Sequence, residues 1–259
     1  FSKKITTINL ILIFPIAFFS LFCYYQKFTN CLRTGLINSF LLFSFFIFIL
    51  TEFLSAFQYL TNISIFFSYA VFTFVCFYFS QKFKLKRINF NILDKCLLVA
   101  ILFMLLTTLV TAFISPPNNW DSMTYHMSRV EYWIQNKAIF FFKTNNPRQN
   151  ILSPFSEFLI LHFQILSESD IFANLVQWIS LIIGLAAVSL ICKEFGLGQR
   201  LQIISAAFIC SLPIVLLQAS STKNDIVAST FILLFYYYQI ILVKRYSINT
   251  ICFAGLSLG

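Results

Sequence analysis

A chain of 259 residues that is 59% hydrophobic and only 10% charged is not a soluble domain, because such domains carry roughly 25% charged residues. Its mean hydropathy of +0.84 and its 35 phenylalanines call for a bilayer as solvent and mark an integral membrane protein. The net charge of +9 does not signal a nucleic-acid binder: the basic residues sit in short clusters between apolar runs, as in loops that face the cytoplasm.

A spanning helix needs about 20 mostly apolar residues. Apolar runs occur at about 5–25, 36–57, 63–80, 93–114, 171–192, 201–218 and 226–243, and another begins near 249. The expected fold is therefore all-α, a polytopic transmembrane helix bundle of about 7–8 spans within a single domain over 1–259. Lys3 and Lys4 precede the first run, but no small-residue cleavage site follows it, so it reads as a span and not as a signal peptide. The chain opens on Phe1 and stops just after an apolar run has begun, and it reads as a piece of a longer protein. Seven cysteines lie singly, with no metal-type or disulfide-type spacing. Glu52 is the one carboxylate more than a turn inside a run; it implies either a polar partner or a place near the membrane surface.

The segment QKFKLKR (81–87), the pair Lys193 and Arg200, the pair Lys244 and Arg245, and Lys27 with Arg33 all fall on one side when spans are counted, which makes that side cytoplasmic. The non-spanning segment 115–170 and the short loop SSTKND (220–225) then face outward. Loops as long as 115–170 are usually functional. This one holds both histidines, two of the three tryptophans and five of the nine acidic residues.

Within it, Pro116 and Pro117 stop the preceding helix, and Asn118, Asn119 and Asp121 are all good caps for a new one. From about 121 to 137, Met123, Met127, Val130 and Ile134 form an apolar stripe, with Asp121, Tyr125, Ser128 and Tyr132 on another face and Arg129 and Trp133 beside them. This predicts an amphipathic helix on the membrane surface. A second surface helix is expected over about 153–167, with Ser153 as cap and Pro154 at its first position. KTNNPRQN (143–150) joins the two.

Each reactive side chain has two readings. Asp121 is a cap, or it is a general base that organises an acceptor or a metal. His126 is structural, or it transfers protons. Arg129 pairs with headgroups, or it holds a phosphate by bidentate hydrogen bonds. Arg148 is solvated, or it binds an anion. Glu157 falls in the first turn of its helix, where the dipole favours an acid in any case. His162, between Leu161 and Phe163, packs. Asp225 caps the following span, or with Lys223 and Asp121 it completes a site shared by two loops.

Three stretches carry a resemblance: WDSMTYHMSR (120–129), SESDIFANLVQW (167–178) and LPIVLLQASSTKNDIVAST (212–230). In arrangement they resemble the GT-C fold of polytopic membrane glycosyltransferases, which includes protein O-mannosyltransferases, lipid A aminoarabinose transferases and RgtA/B/C/D-like enzymes. The match covers about residues 100–245. This chain departs from the simplest pattern in placing three or more spans before the first long outward loop. The resemblance implies a GT-C-like fold in which Asp121 is the catalytic carboxylate and Asp225 the second acidic position. Tyr125, His126, Arg129, Arg148 and Lys223 then line the substrate, the cations facing the donor's phosphate. The implied reaction moves a sugar from a polyprenyl-phosphate donor to a glycan, lipid or protein acceptor on the extracytoplasmic face. A divalent metal is left open, and no nucleotide or organic cofactor is expected. The richness in Phe, Ile, Asn and Lys points to an AT-rich bacterial genome and so to the inner membrane. The rival readings are a transporter or lipid flippase, a scaffold subunit, and an O-antigen-ligase-like enzyme. A transporter would place polar or broken helices near the midplane, whereas here the polar residues gather outside the apolar runs.

Overall fold

The computed structural model describes residues 10–29, 31–80 and 89–258. Lys3, Lys4, the start of the first apolar run and the basic segment 81–87 lie outside the described residues. The described residues form helices and no strands. In chain order these are α1 (Ile13–Gln26), α2 (Leu32–Ala56), α3 (Asn62–Phe79) and α4 (Ile92–Ile114). A π-helical turn (Ser122–His126) then runs into α5 (Met127–Asn136), followed by α6 (Arg148–Ile151) and α7 (Phe155–Ser167). The chain continues through α8 (Leu175–Glu194), α9 (Gln199–Ser211), α10 (Pro213–Ala219), α11 (Asp225–Lys244) and α12 (Ile248–Leu256).

Five helices, α2, α3, α4, α8 and α11, are long and apolar enough to cross a membrane; the bent pair α9–α10 makes a sixth if it is taken as one span. Among the described residues no further helix meets that test. The run at 201–218 contains Pro213, which has no N–H to continue α9, and Leu212 before it is extended (φ −72°, ψ 121°). The two pieces meet at 72°. Of the expected run at 5–25, residues 5–9 lie outside the described residues; α1 itself, with 14 residues, covers about 21 Å at a rise of 1.5 Å each. On α3 and α4, large apolar side chains such as Phe67, Val71, Phe74, Val99, Phe103 and Val110 are exposed. A lipid bilayer is the solvent that suits such a surface.

The bundle has a basic end and a loop end. At the basic end Lys27 donates to the Phe79 carbonyl (3.1 Å), Arg33 to Gln202 (2.9 Å) and Ser189 (3.0 Å), and Arg200 faces Asp94 (3.4 Å). Glu194 there receives Lys244 and Arg245. The loop end gathers the close of α2 and α4, the start of α3, α8 and α11, and the whole of 115–170. Glu52 is exposed one turn from the end of α2, with no hydrogen bond or ion pair among the described residues, which fits a carboxylate near the membrane surface.

The second surface helix is a core helix instead. In α7, Phe158, Ile160, Leu161, Phe163 and Leu166 are all buried, together with Ser156, Glu157 and His162. They join Phe14, Phe43, Ile47, Ile65 and Tyr69 in one cluster. The reason lies in its sequence, FSEFLILHFQILS, which is apolar on every side; such a helix is buried rather than laid on a surface. Pro154, not Ser153, is its N-cap, and no side chain caps it. The first surface helix is amphipathic as expected, with Val130 fully buried and Met127 and Ile134 packed on the core, while Met123 is exposed. Trp133 and Arg129 are buried too.

His162 ties three helices together. Thr51 Oγ1 donates to the Ile47 carbonyl (2.6 Å), so it can only accept from His162 Nε2–H (2.9 Å). The Tyr69 hydroxyl then donates to Nδ1 (2.8 Å). Burial holds this imidazole neutral, lowering its pKa from 6.5 to about 3. An unfolded chain takes up the proton below pH 6.5, and the folded one does not until about pH 3. Stability should therefore fall as pH drops through that window, by at most about 1.4 kcal/mol per pH unit from this group. Thermal unfolding in detergent between pH 7 and 4 measures it, and His162→Gln should flatten the slope. An equally steep variant would remove His162 from the account. His162→Ala should cost about 2–5 kcal/mol at neutral pH, from the cavity and the stranded Tyr69 hydroxyl.

Candidate functional site

The helix that carries Asp121 begins at Trp120, and its cap is Asn119, whose Oδ1 accepts from Ser122 N (2.9 Å). Asp121 is already helical (φ −68°, ψ −42°), and its side chain makes no cap hydrogen bond. Its carboxylate faces two cations instead. Arg148 Nη1 lies 3.7 Å from Oδ1 and Lys223 Nζ 3.6 Å from Oδ2. Asp121 is 33% exposed, Lys223 23% and Arg148 60%. A helix start, the polar loop 143–150 and the loop 220–225 thus bring one charge each to a single half-open place. The wide π turn directly after Asp121 is a departure from α-geometry that recurs at functional sites.

The loop 220–225 is held there by buried polar groups. Ser122 Oγ donates to the Thr222 carbonyl, and Thr222 Oγ1 donates to Asn174 Oδ1. Asn174 Nδ2 in turn donates to the carbonyls of Ala112 (3.1 Å) and Ser115 (2.8 Å). Gln177 Oε1 accepts from the backbone N–H of Ile226 (2.9 Å) and Val227 (3.1 Å). The start of α11 is thus capped by a neighbouring helix, and Asp225 is not its cap. Asp225 is exposed at the first position of α11, and its carboxylate has no hydrogen-bond or ion-pair partner among the described residues.

Tyr125 lies within electrostatic reach of Asp121, Asp225 and Arg148. Burial raises its phenol pKa first, and Asp121, Glu157 and Asp225 add to the rise while Arg148 opposes it. The hydroxyl therefore stays protonated and can donate.

Beneath this site is a buried ion cluster. Glu157 is fully buried; its Oε1 receives His126 Nδ1–H (2.9 Å) and Arg129 Nη1 (3.1 Å), and its Oε2 receives Ser156 Oγ (2.8 Å). His126 is fully buried as well. Arg129 is 1% exposed. It also donates through Nε to the Gln149 carbonyl (2.5 Å) and through Nη2 to the carbonyls of Arg148 (2.8 Å) and Leu152 (3.0 Å). Burial lowers the pKa of its guanidinium, with Glu157 opposing. Arg129 is thus committed to protein acceptors and is not turned outward to meet a phosphate or a headgroup.

The structure brings Asp121, Arg148 and Lys223 together and sets Tyr125 and Asp225 around them, whereas His126 and Arg129 lie below the surface. Gln149, Asn174, Gln177 and Thr222 were missed in sequence. Gln149 folds the loop 143–150 by donating to the Thr124 carbonyl (2.7 Å) and Ser128 Oγ (2.8 Å). Among the described residues no group of three or more His, Cys, Asp or Glu side chains is placed to hold a metal ion. A cleft of about 880 Å³ lies at the far end of α5, between Leu60–Ile63, Glu131, Ile134, Lys137 and the end of α7; Asp121 does not line it.

Fold and site define a helical membrane protein with an ion-paired carboxylate at its loop end. No protein-family model, no curated protein and no solved structure matches the chain.

Proposed function

We propose that this chain is a membrane glycosyltransferase of GT-C-like architecture, acting at the extracytoplasmic face of the inner membrane with its basic end in the cytoplasm. The observation that carries the reading is that Asp121 does not cap its helix and instead sits half-open between Arg148 and Lys223. Transfer from a polyprenyl-phosphate sugar needs this combination. An acceptor hydroxyl on a glycan, lipid or protein gives its proton to the Asp121 carboxylate as its oxygen bonds to the anomeric carbon. The bond from that carbon to the phosphate oxygen breaks, and the lipid phosphate leaves with an added negative charge. Lys223 and Arg148 offset that charge. The Tyr125 hydroxyl and the Asp225 carboxylate lie around the reacting groups, as donor and acceptor for sugar hydroxyls. The site's place at the bundle's end suits a substrate that arrives on a lipid.

One observation favours a transporter: the 72° break between α9 and α10, just before the loop that carries Lys223, since broken helices mark many transport sites. Cells lacking the protein, compared with the same cells after its restoration, separate the two by mass spectrometry of polyprenyl-phosphate sugars and surface glycans. The transferase reading expects a lipid-linked sugar to accumulate and a glycan to lose a residue. Unchanged pools of both would sink it.

A further inference from the structure

We propose that Glu157 is the positioning residue of the Asp121 site: from inside the protein, its one carboxylate holds both the helical turn that follows Asp121 and the loop that carries Arg148. The proposal rests on the reading that Asp121 is the working carboxylate, although its test requires no transfer reaction.

Glu157 is an unlikely residue for its place on packing grounds alone. It is fully buried on a helix whose neighbouring positions are Phe158, Leu159, Ile160 and Leu161, and a carboxylate there is costly unless it is paired and hydrogen-bonded. A buried ion pair is also weak evidence for stability, since apolar residues of similar size often do as well. What the carboxylate alone offers is acceptor capacity for several donors at once. Its Oε1 takes two, His126 and Arg129, and its Oε2 takes Ser156.

Each of the first two bonds begins an arm that ends at the site. On one arm, His126 closes the π turn Ser122–His126, whose first residue, Ser122, holds the Thr222 carbonyl next to Lys223. On the other, Arg129 gathers the carbonyls of Arg148, Gln149 and Leu152 and so fixes the backbone from which the Arg148 side chain reaches Asp121. The anchor is α7, part of the main core, so both arms are referred to one rigid element, as a preorganised site requires.

The test uses the whole protein in detergent. A water-soluble carbodiimide activates the Asp121 carboxylate, the Lys223 amine attacks it, and an amide forms as the urea leaves. The cross-linked peptide pair is quantified by mass spectrometry. The 3.6 Å approach predicts a strong 121–223 cross-link in the unmutated protein. Glu157→Gln should lower its yield about tenfold, through loss of effective concentration. Hydrogen exchange in 144–152 should rise while 155–167 stays protected. Because Glu157→Gln leaves Arg129 an unpaired buried cation, a second variant combines Arg129→Met with Glu157→Met and strands no charge. It should fold and show the same loss of cross-link. Parental cross-linking and protection in either folded variant would overturn the proposal. So would a missing cross-link in the unmutated protein, or failure of both variants to fold, which would make Glu157 a folding residue only. None of these outcomes depends on whether sugar is transferred.

Discussion

Asp121→Asn is expected to lower sugar transfer by about 10²–10⁴-fold, the usual contribution of a general base, with protein level unchanged. Asparagine keeps the shape of the side chain and one acceptor oxygen but cannot take a proton. The fold should survive, because the pairs to Arg148 and Lys223 are partly exposed and such pairs contribute only about 0–1 kcal/mol. The helix keeps its cap, since that cap is Asn119. The measurement is the lipid-linked sugar pool and the surface glycan profile in cells carrying the variant, with protein level read by blot. A variant that restores both pools as well as the parent does would reduce Asp121 to a surface ion pair.

The second large effect is on stability. Arg129→Met should cost about 3–5 kcal/mol, the range found when one partner of a buried ion pair is removed. It leaves the Glu157 carboxylate buried without its guanidinium partner, and it strands the carbonyls of Arg148, Gln149 and Leu152. Adding Glu157→Met should recover the part of that loss that comes from the unpaired carboxylate, but not the part that comes from the stranded carbonyls. Denaturant unfolding in detergent, or the rate of limited proteolysis, measures both steps. An Arg129 that served only as a phosphate ligand would behave oppositely, with weak substrate binding and parental stability. Parental stability of the single variant would therefore overturn the buried-pair description.

The sequence made the apolar helices legible because length and composition are all that a bilayer asks of a span. It also located the site's parts, because Asp121, Arg148 and Lys223 stand in the two polar segments between apolar runs. Three things were hidden. Asn119 and Asp121 can both cap a helix, and only the hydrogen bond to Ser122 decides between them. Arg129 looks like a surface cation until its partner Glu157, 28 positions away, is folded over it. α7 follows a polar loop and a Ser-Pro pair within the non-spanning segment, which by itself points to the surface. Its apolar character on all sides was the better signal, and it pointed inward. The bonds from Thr222 to Asn174 and from Gln177 to the start of α11 have no local signature, since each joins residues about 50 positions apart.

The bond from Ser122 to Thr222 spans 100 residues of sequence, which bears on how the protein is made. When the long loop first emerges from the insertion machinery, Asp121 can find Arg148 but not Lys223. Two more helical stretches must enter the membrane before the second cation exists to meet it. The site is therefore completed only after α8, α9 and α10 have been made, and a chain interrupted before the loop 220–225 would carry Asp121 without Lys223. Completion of the charge cluster thus reports that the downstream helices have been inserted in the correct sense.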